Sequence, residues 1–151
     1  MLDYHKTTEE EKLEICEWKY VGEYAIYNLP SYEEQIAARR GLANPRNCFY
    51  SFCDGKKLIG YINLVEEESG IFFGIAVHPD CCNQGYGQKM TRLGRVLSHQ
   101  LYPGKPLYLE VRTWNTRAVK CYEKAGFRIV GEPVVKITSI GEGSFYQMAE
   151  D

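Results

Sequence analysis

The chain has 151 residues, enough for one domain that buries its own core without help from a metal or a disulfide. Its 44% apolar and 25% charged residues are those of an ordinary globular protein, which excludes a disordered chain, and no apolar run reaches membrane-spanning length. A formal charge of −2 supplies no positive field for a phosphate backbone, so nucleic acid is not an expected partner.

The opening MLDYHKTTEEEK lacks the basic start and apolar core of a signal peptide, so a cytoplasmic location is expected. Residues 8–18 read as a helix with Leu13 and Cys16 on its inner face. Ser31 caps a second helix over 31–41, with Glu34 completing a capping box and Gly41 closing the element. Strands follow over 47–53 and 58–65, joined by the hairpin signal Asp54-Gly55, and a third covers 71–77, stopped by Pro79. Met90, Leu93, Leu97 and Leu101 place one apolar stripe on a helix over 85–102. A strand over 106–113 comes next, then a helix from Asn115 to Gly126 and two closing strands over 128–139 and 143–149. No repeat, linker or low-complexity stretch interrupts this order, so 1–151 is expected to form a single domain.

The six cysteines, at 16, 48, 53, 81, 82 and 121, include no CxxC pair and no histidine at zinc-ligand spacing. Free thiols and no metal are expected. Cys81 and Cys82 are adjacent in a loop without a basic neighbour to make a thiol reactive.

A helix between the strands 71–77 and 106–113 requires a right-handed crossover, which makes those strands parallel and sets the helix start at their carboxyl ends. The turn DCCNQGYGQK holds Gly85 and Gly87 at that start. Glycines admit a ligand close to the backbone, and unpaired N–H groups with the helix dipole favour an anion such as pyrophosphate. On the glycine pair alone, a merely tight turn is an equal reading. A P-loop needs Gly-Lys-Ser/Thr, and a dinucleotide fingerprint needs a third glycine; both are missing.

AVHPDCCNQGYG resembles the acetyl-CoA signature of the GNAT acetyltransferase superfamily, and LEVRTWNTRAVKCYEKAGF resembles that family's second block, N-x-x-A-x-x-x-Y-x-x-x-G-F. Within the superfamily the motifs are most similar to amino-terminal acetyltransferases acting on ribosomal proteins. Cys82 stands where the family usually has Gln or Arg, leaving backbone contacts from Asn83, Gln84, Gly85, Tyr86, Gly87 and Gln88. The resemblance implies an α/β fold: a twisted mixed sheet of six to seven strands flanked by about four helices. It also implies acetyl-CoA as co-substrate, its pantetheine arm wedged between strands 71–77 and 106–113. The main chain of Ile75, Ala76 and Val77 then pairs with the arm and polarises the thioester carbonyl. Gly74 fits a bulge or close approach there.

Acetyl transfer to an amine needs a base for the ammonium proton and an acid for the leaving thiolate. In 106–113, Tyr108, Glu110 and Arg112 share one face. Burial there makes Glu110 a better proton acceptor, whereas an ion pair with Arg112 makes it purely structural. The resemblance places the base on an equivalent LEVR strand, twelve residues before a tyrosine acid, and Glu110 and Tyr122 have this spacing. Ala118 and Ala125 flank Tyr122 on its helix face, and the resemblance adds Ala118 and the cap Asn115 to the cofactor contacts.

Glu66, Glu67 and Glu68 are alternative bases, in a stretch that otherwise reads as a solvated turn. His78 is a lesser ligand candidate that otherwise reads as a solvated loop residue. Trp18, Tyr24, Tyr27, Tyr32 and Trp114 line either an acceptor pocket or the core. The rival functions are a catalytically silent acyl-CoA-binding regulatory module and a protein–protein adaptor on the same fold. The amine acceptor, small molecule or peptide, and the choice between monomer and homodimer stay open.

Overall fold

The structure, a computed structural model, describes residues 2–138 and 140–150; Ser139, at the end of the strand expected over 128–139, lies outside them. The chain divides into two compact units, Met1–Val65 with Ile75–Tyr86, and Glu66–Gly74 with Gly87–Asp151.

The first unit opens with a strand that the sequence reading lacked, β1 (Leu2–Lys6). Its side chains are exposed except the half-buried Leu2, so it carries no apolar alternation to announce it. It pairs antiparallel with β2 (Cys48–Asp54), which pairs antiparallel with β3 (Lys57–Glu66) through a turn where Gly55 has φ of +64°. Helix α1 (Glu9–Cys16) starts at a capping box: the Thr8 hydroxyl accepts from the Glu11 N–H (3.2 Å), and the Glu11 carboxylate accepts from the Thr8 N–H (2.9 Å). Ile15 and Cys16 are buried, whereas Leu13, expected inside, is 55% exposed. A helix turns about 200° in two residues, so Leu13 and Ile15 cannot share a face.

Helix α2 (Tyr32–Ala38) has Ser31 as cap, its hydroxyl accepting from the Glu34 N–H, but only this half of the expected capping box forms. The helix ends at Arg39, in the left-handed region at φ 54°, two residues before the expected Gly41. Arg39 makes the reversal that glycine commonly makes, and Gly41 opens a short 3-10 turn instead. Gln35, only 3% exposed, bridges this reversal. Its side-chain oxygen accepts from the Leu42 N–H (2.9 Å) and its nitrogen donates to the Pro30 carbonyl (3.0 Å). Around it Ile15, Cys16, Trp18, Leu42, Phe49 and Leu58 form the unit's core.

The second unit begins with the first half of β4 (Ile71–Val77). Helix α3 (Tyr86–Leu101) leads to β5 (Leu107–Arg112), which pairs parallel with β4 through Ile71↔Leu107 and Phe72↔Tyr108, as the crossover requires. Met90 and Leu97 of the α3 stripe are buried, while Leu101 is 44% exposed at the helix end. Helix α4 (Thr116–Lys124) has Asn115 as cap and is followed by Gly126 at φ 99°, as expected.

The strand expected over 128–139 is broken into β6 (Phe127–Ile129) and β7 (Val134–Thr138). Between them Gly131 has φ of +72° and Pro133 has no N–H to give a ladder. Strand β8 (Gly141–Glu150) pairs antiparallel with β5, β6 and β7. Among the described residues the result is a mixed α/β fold with eight strands, one more than the upper expectation, and the four α-helices foreseen. Both added pieces, β1 and the separate β6, are short and largely exposed.

Replacing Gln35 with the similarly sized Leu leaves the buried Leu42 N–H and the part-buried Pro30 carbonyl without their Gln35 partner. The expected cost is roughly 2–4 kcal/mol, read as a lower urea midpoint at unchanged m-value.

Candidate active site

The turn between β4 and α3 is organised by His78 and the residues after it. The His78 N–H donates to the Ile59 carbonyl (2.6 Å), its Nδ1 accepts from the Asp80 N–H (3.0 Å), and its ring meets Trp18 edge-on at 4.9 Å. His78 is therefore a half-buried cap of the short 3-10 turn Pro79–Cys81 rather than a solvated loop residue. Cys81 is buried at 2% exposure, and the Cys82 sulfur lies 3.6 Å from the His78 carbonyl oxygen.

Two left-handed residues follow, Asn83 at φ 63° and Gly85 at φ 83°, and α3 begins at Tyr86. Left-handed residues in a turn swing successive N–H groups toward one side, and the first N–H groups of a helix have no intrahelical partner. The turn is fixed from beneath by the Gln84 amide, which donates to the Asp80 carbonyl (3.0 Å). Tyr86 donates its hydroxyl to Asp54 (2.9 Å), a bond that holds its phenol above the ordinary value. Asn83, Gln84 and Gly85 are exposed, Tyr86, Gly87 and Gln88 half-buried, and Gln88 lies beside the Arg92 guanidinium. No lysine or arginine is needed to make such a turn attractive to an anion.

Ile75, Ala76 and Val77, at the end of β4, are half-buried. The Tyr20 hydroxyl donates to the Val77 carbonyl at 2.7 Å, and Tyr20 is itself fixed by Asn28, which accepts from its N–H (2.6 Å). Sequence reasoning missed Tyr20, because nothing in its spacing links it to a strand 57 residues away. The pairing of β4 with β5 stops at Phe72↔Tyr108, and the boundary between the units follows Gly74.

In the second unit, Asn115 is 7% exposed and its side-chain oxygen accepts from the Ala118 N–H (3.2 Å), the capping role expected of it. Tyr122, half-buried two turns into α4, meets Phe127 edge-on at 6.4 Å. Burial pushes the thiol of neighbouring Cys121 up and keeps it protonated. Glu110 exposes 17% of its side chain and forms an ion pair with Lys136 of β7. Among the described residues no Glu110–Arg112 ion pair forms, and Arg112 lies over the Phe145 ring at 4.7 Å.

Among the alternative bases, Glu66 is exposed and paired with Lys105 (3.1 Å), whose ammonium also donates to the Glu67 carbonyl. Glu66 is the last residue of β3, and Glu67 and Glu68 lie between β3 and β4. Of the aromatic residues, Trp18 is buried in the first unit's core beside Tyr61, and Tyr32 donates to Glu9. Tyr27 and Trp114 are more than one-third exposed, and Tyr24 is half-buried.

Among the described residues no helix is long and apolar enough to cross a membrane, and the six cysteines are free thiols. The chain is similar to the N-alpha-acetyltransferase RimI of Mycobacterium tuberculosis, 35% identical over 101 residues that cover 63% of this chain and 61% of that protein. It thus spans less than two thirds of the length of this curated relative. The fold is similar to that of the ribosomal-protein-S18-alanine N-acetyltransferase from Escherichia coli (TM-score 0.69, 20% identity, 99% of this chain and 93% of that one). It is similar also to the spermidine N-acetyltransferase from Vibrio cholerae in complex with CoA and spermine (TM-score 0.71, 19% identity, 98% and 94%). The model of the acetyltransferase (GNAT) family matches residues 12–127, a stretch that takes in both glycine-turn and tyrosine-helix motifs, and the chain belongs to that family.

Proposed function

We propose that the protein transfers the acetyl group of acetyl-CoA directly to a primary amine of a peptide or small molecule. The observation that carries this reading is the turn with left-handed Asn83 and Gly85 delivering the start of α3 inside the family-matched region. In this reading the backbone of Asn83, Gln84, Gly85, Tyr86, Gly87 and Gln88 takes the pyrophosphate. The main chain of Ile75, Ala76 and Val77 takes the pantetheine arm and thioester, and Asn115, Ala118 and Tyr122 complete the cofactor contacts. The early end of β4–β5 pairing supports a strand whose later backbone groups serve a ligand rather than a neighbouring strand.

The chemistry balances with two side chains. Glu110 takes a proton from the substrate ammonium, directly or through water, after its ion pair with Lys136 opens or is bridged. The free amine attacks the thioester carbon, and a backbone N–H at the end of β4 holds the oxyanion. The carbon–sulfur bond then breaks, Tyr122 gives its hydroxyl proton to the CoA thiolate, and the second proton shed by the acylated nitrogen returns through solvent to the Tyr122 oxygen, while Glu110 releases its proton to solvent. Tyr20 holds the Val77 carbonyl and acts as a positioning residue. No metal takes part in these steps.

Amino-terminal peptide amines are the first acceptors to try, since the 35% identical relative is named for that activity. Polyamines follow, because a protein of similar fold is a spermidine N-acetyltransferase. We read 1–151 as a single catalytic domain, monomeric or homodimeric, cytoplasmic, and without nucleic-acid or membrane partners.

The test is acetyl-CoA turnover, read as free thiol, against peptide amino termini, lysine peptides, polyamines and aminoglycosides. Acceptor-dependent release is expected, with kcat in Tyr122→Phe falling by about 100-fold at similar KM. Glu110→Gln is expected to lose a comparable factor in kcat. Tight acetyl-CoA binding without release on any acceptor points instead to the silent regulatory module. Gly85→Val places a branched side chain at φ 83°, so KM for acetyl-CoA is expected to rise about tenfold with little change in kcat.

A further inference from the structure

Away from the acetyl-transfer residues, the first unit brings together a nitrogen, an oxygen and a sulfur donor from three elements. His5 lies on β1, Glu11 in the first turn of α1 and Cys53 on β2, and their ligating atoms all lie within 4.8 Å of one another. The His5 Nε2 is 2.8 and 2.9 Å from the two Glu11 carboxylate oxygens. The placement follows from the backbone. The β1–β2 register sets His5 opposite Ser51 and Asp3 opposite Cys53, so both strands turn alternate residues to one face. Helix α1 starts three residues after β1 ends, and its capping box aims Glu11 back toward that face.

We propose that His5, Glu11 and Cys53 form a binding site for one divalent metal ion of borderline softness, such as zinc, with water as fourth ligand. A mixed N, O and S donor set suits zinc-like ions and not magnesium or calcium, which take oxygen ligands. Donors directly linked to one metal at about 2.0–2.3 Å in a tetrahedron lie about 3.3–3.6 Å apart, a small spread from the present distances. Glu11 also has the outer support typical of metal-ligating carboxylates: the Thr8 N–H (2.9 Å) and the Ser51 hydroxyl (3.0 Å), which in turn touches Thr7 (2.9 Å).

Burial first, then the charges of Glu11, Glu14 and Asp3, push the Cys53 thiol up. Burial pushes the Glu11 carboxyl up, but hydrogen bonds from Thr8, His5 and Ser51 outweigh it and hold it below the ordinary value. His5 is exposed, which gives the ion and its water a path from solvent. An occupied site clips β1 and α1 to β2, a structural role independent of acetyl transfer.

The experiment titrates the chelator-treated full chain with cobalt(II), read by thiolate-to-cobalt charge-transfer absorption, with zinc competition giving affinity and stoichiometry. One saturable equivalent is expected, with a zinc-dependent rise in melting temperature of about 5 °C or more at 100-fold excess over Kd. Cys53→Ser is expected to abolish the charge-transfer band, which also separates Cys53 from the other five cysteines. Glu11→Gln keeps a residue that completes a capping box but removes the anionic ligand, and His5→Gln changes an exposed side chain. Both are expected to fold and to bind zinc at least about tenfold more weakly. No saturable band in the parent chain overturns the site, as does a band that persists in Cys53→Ser. Should Cys53→Ser not fold, unchanged affinity in Glu11→Gln and His5→Gln overturns it equally.

Discussion

Two residue pairs, Ile71↔Leu107 and Phe72↔Tyr108, are the constraint on which the rest depends, because they make β4 and β5 parallel. A parallel pair cannot be closed by a tight turn, so the chain between them must return the length of the sheet, and α3 does this in one crossover. The pairing starts where the strands come closest. The Ile71 N–H donates to the Pro106 carbonyl (2.8 Å), and a Cβ on Gly70 stands only 2.6 Å from that oxygen. Glycine at position 70 is therefore a steric requirement of the crossover.

Under the proposed function, an anion site made this way would let a chain with net charge −2 hold a polyphosphate co-substrate. The attraction is local, set by peptide dipoles at left-handed residues and a helix start, and needs no surplus of lysine. Such a site depends on backbone conformation more than on side-chain identity. In that proposal Cys82, at the first position of the signature, removes one side-chain contact, and the positions with φ of +63° and +83° matter most.

The sequence was most legible where one physical rule dominated. Asn115 and Gly126 delimit α4 by capping, Asp54-Gly55 turns a hairpin, and Met90 and Leu97 face inward from α3. It was least legible where tertiary context overrode local pattern. β1 presents exposed polar and charged side chains, which suits a sheet edge but hides the strand from any search for alternation. Arg39 takes a left-handed conformation that a sequence reader assigns to Gly41, two residues later. The partner of Glu110 was sought two residues away, as Arg112, and found on another strand, as Lys136.

The same limit governs the side-chain constellations. Glu110 and Tyr122 could be named because a family pattern fixes their spacing, whereas Tyr20 and the His5, Glu11 and Cys53 group have no spacing to read. Metal motifs are recognised when ligands are close in sequence; here the intervals are six and forty-two residues, and only the β1–β2 register and the capping of α1 bring the donors together. Glu11 links both levels, since the carboxylate that completes the helix cap is also the one held between His5 and Ser51. A residue bound by two such requirements has one orientation available, and the donors around it are arranged before any ligand arrives.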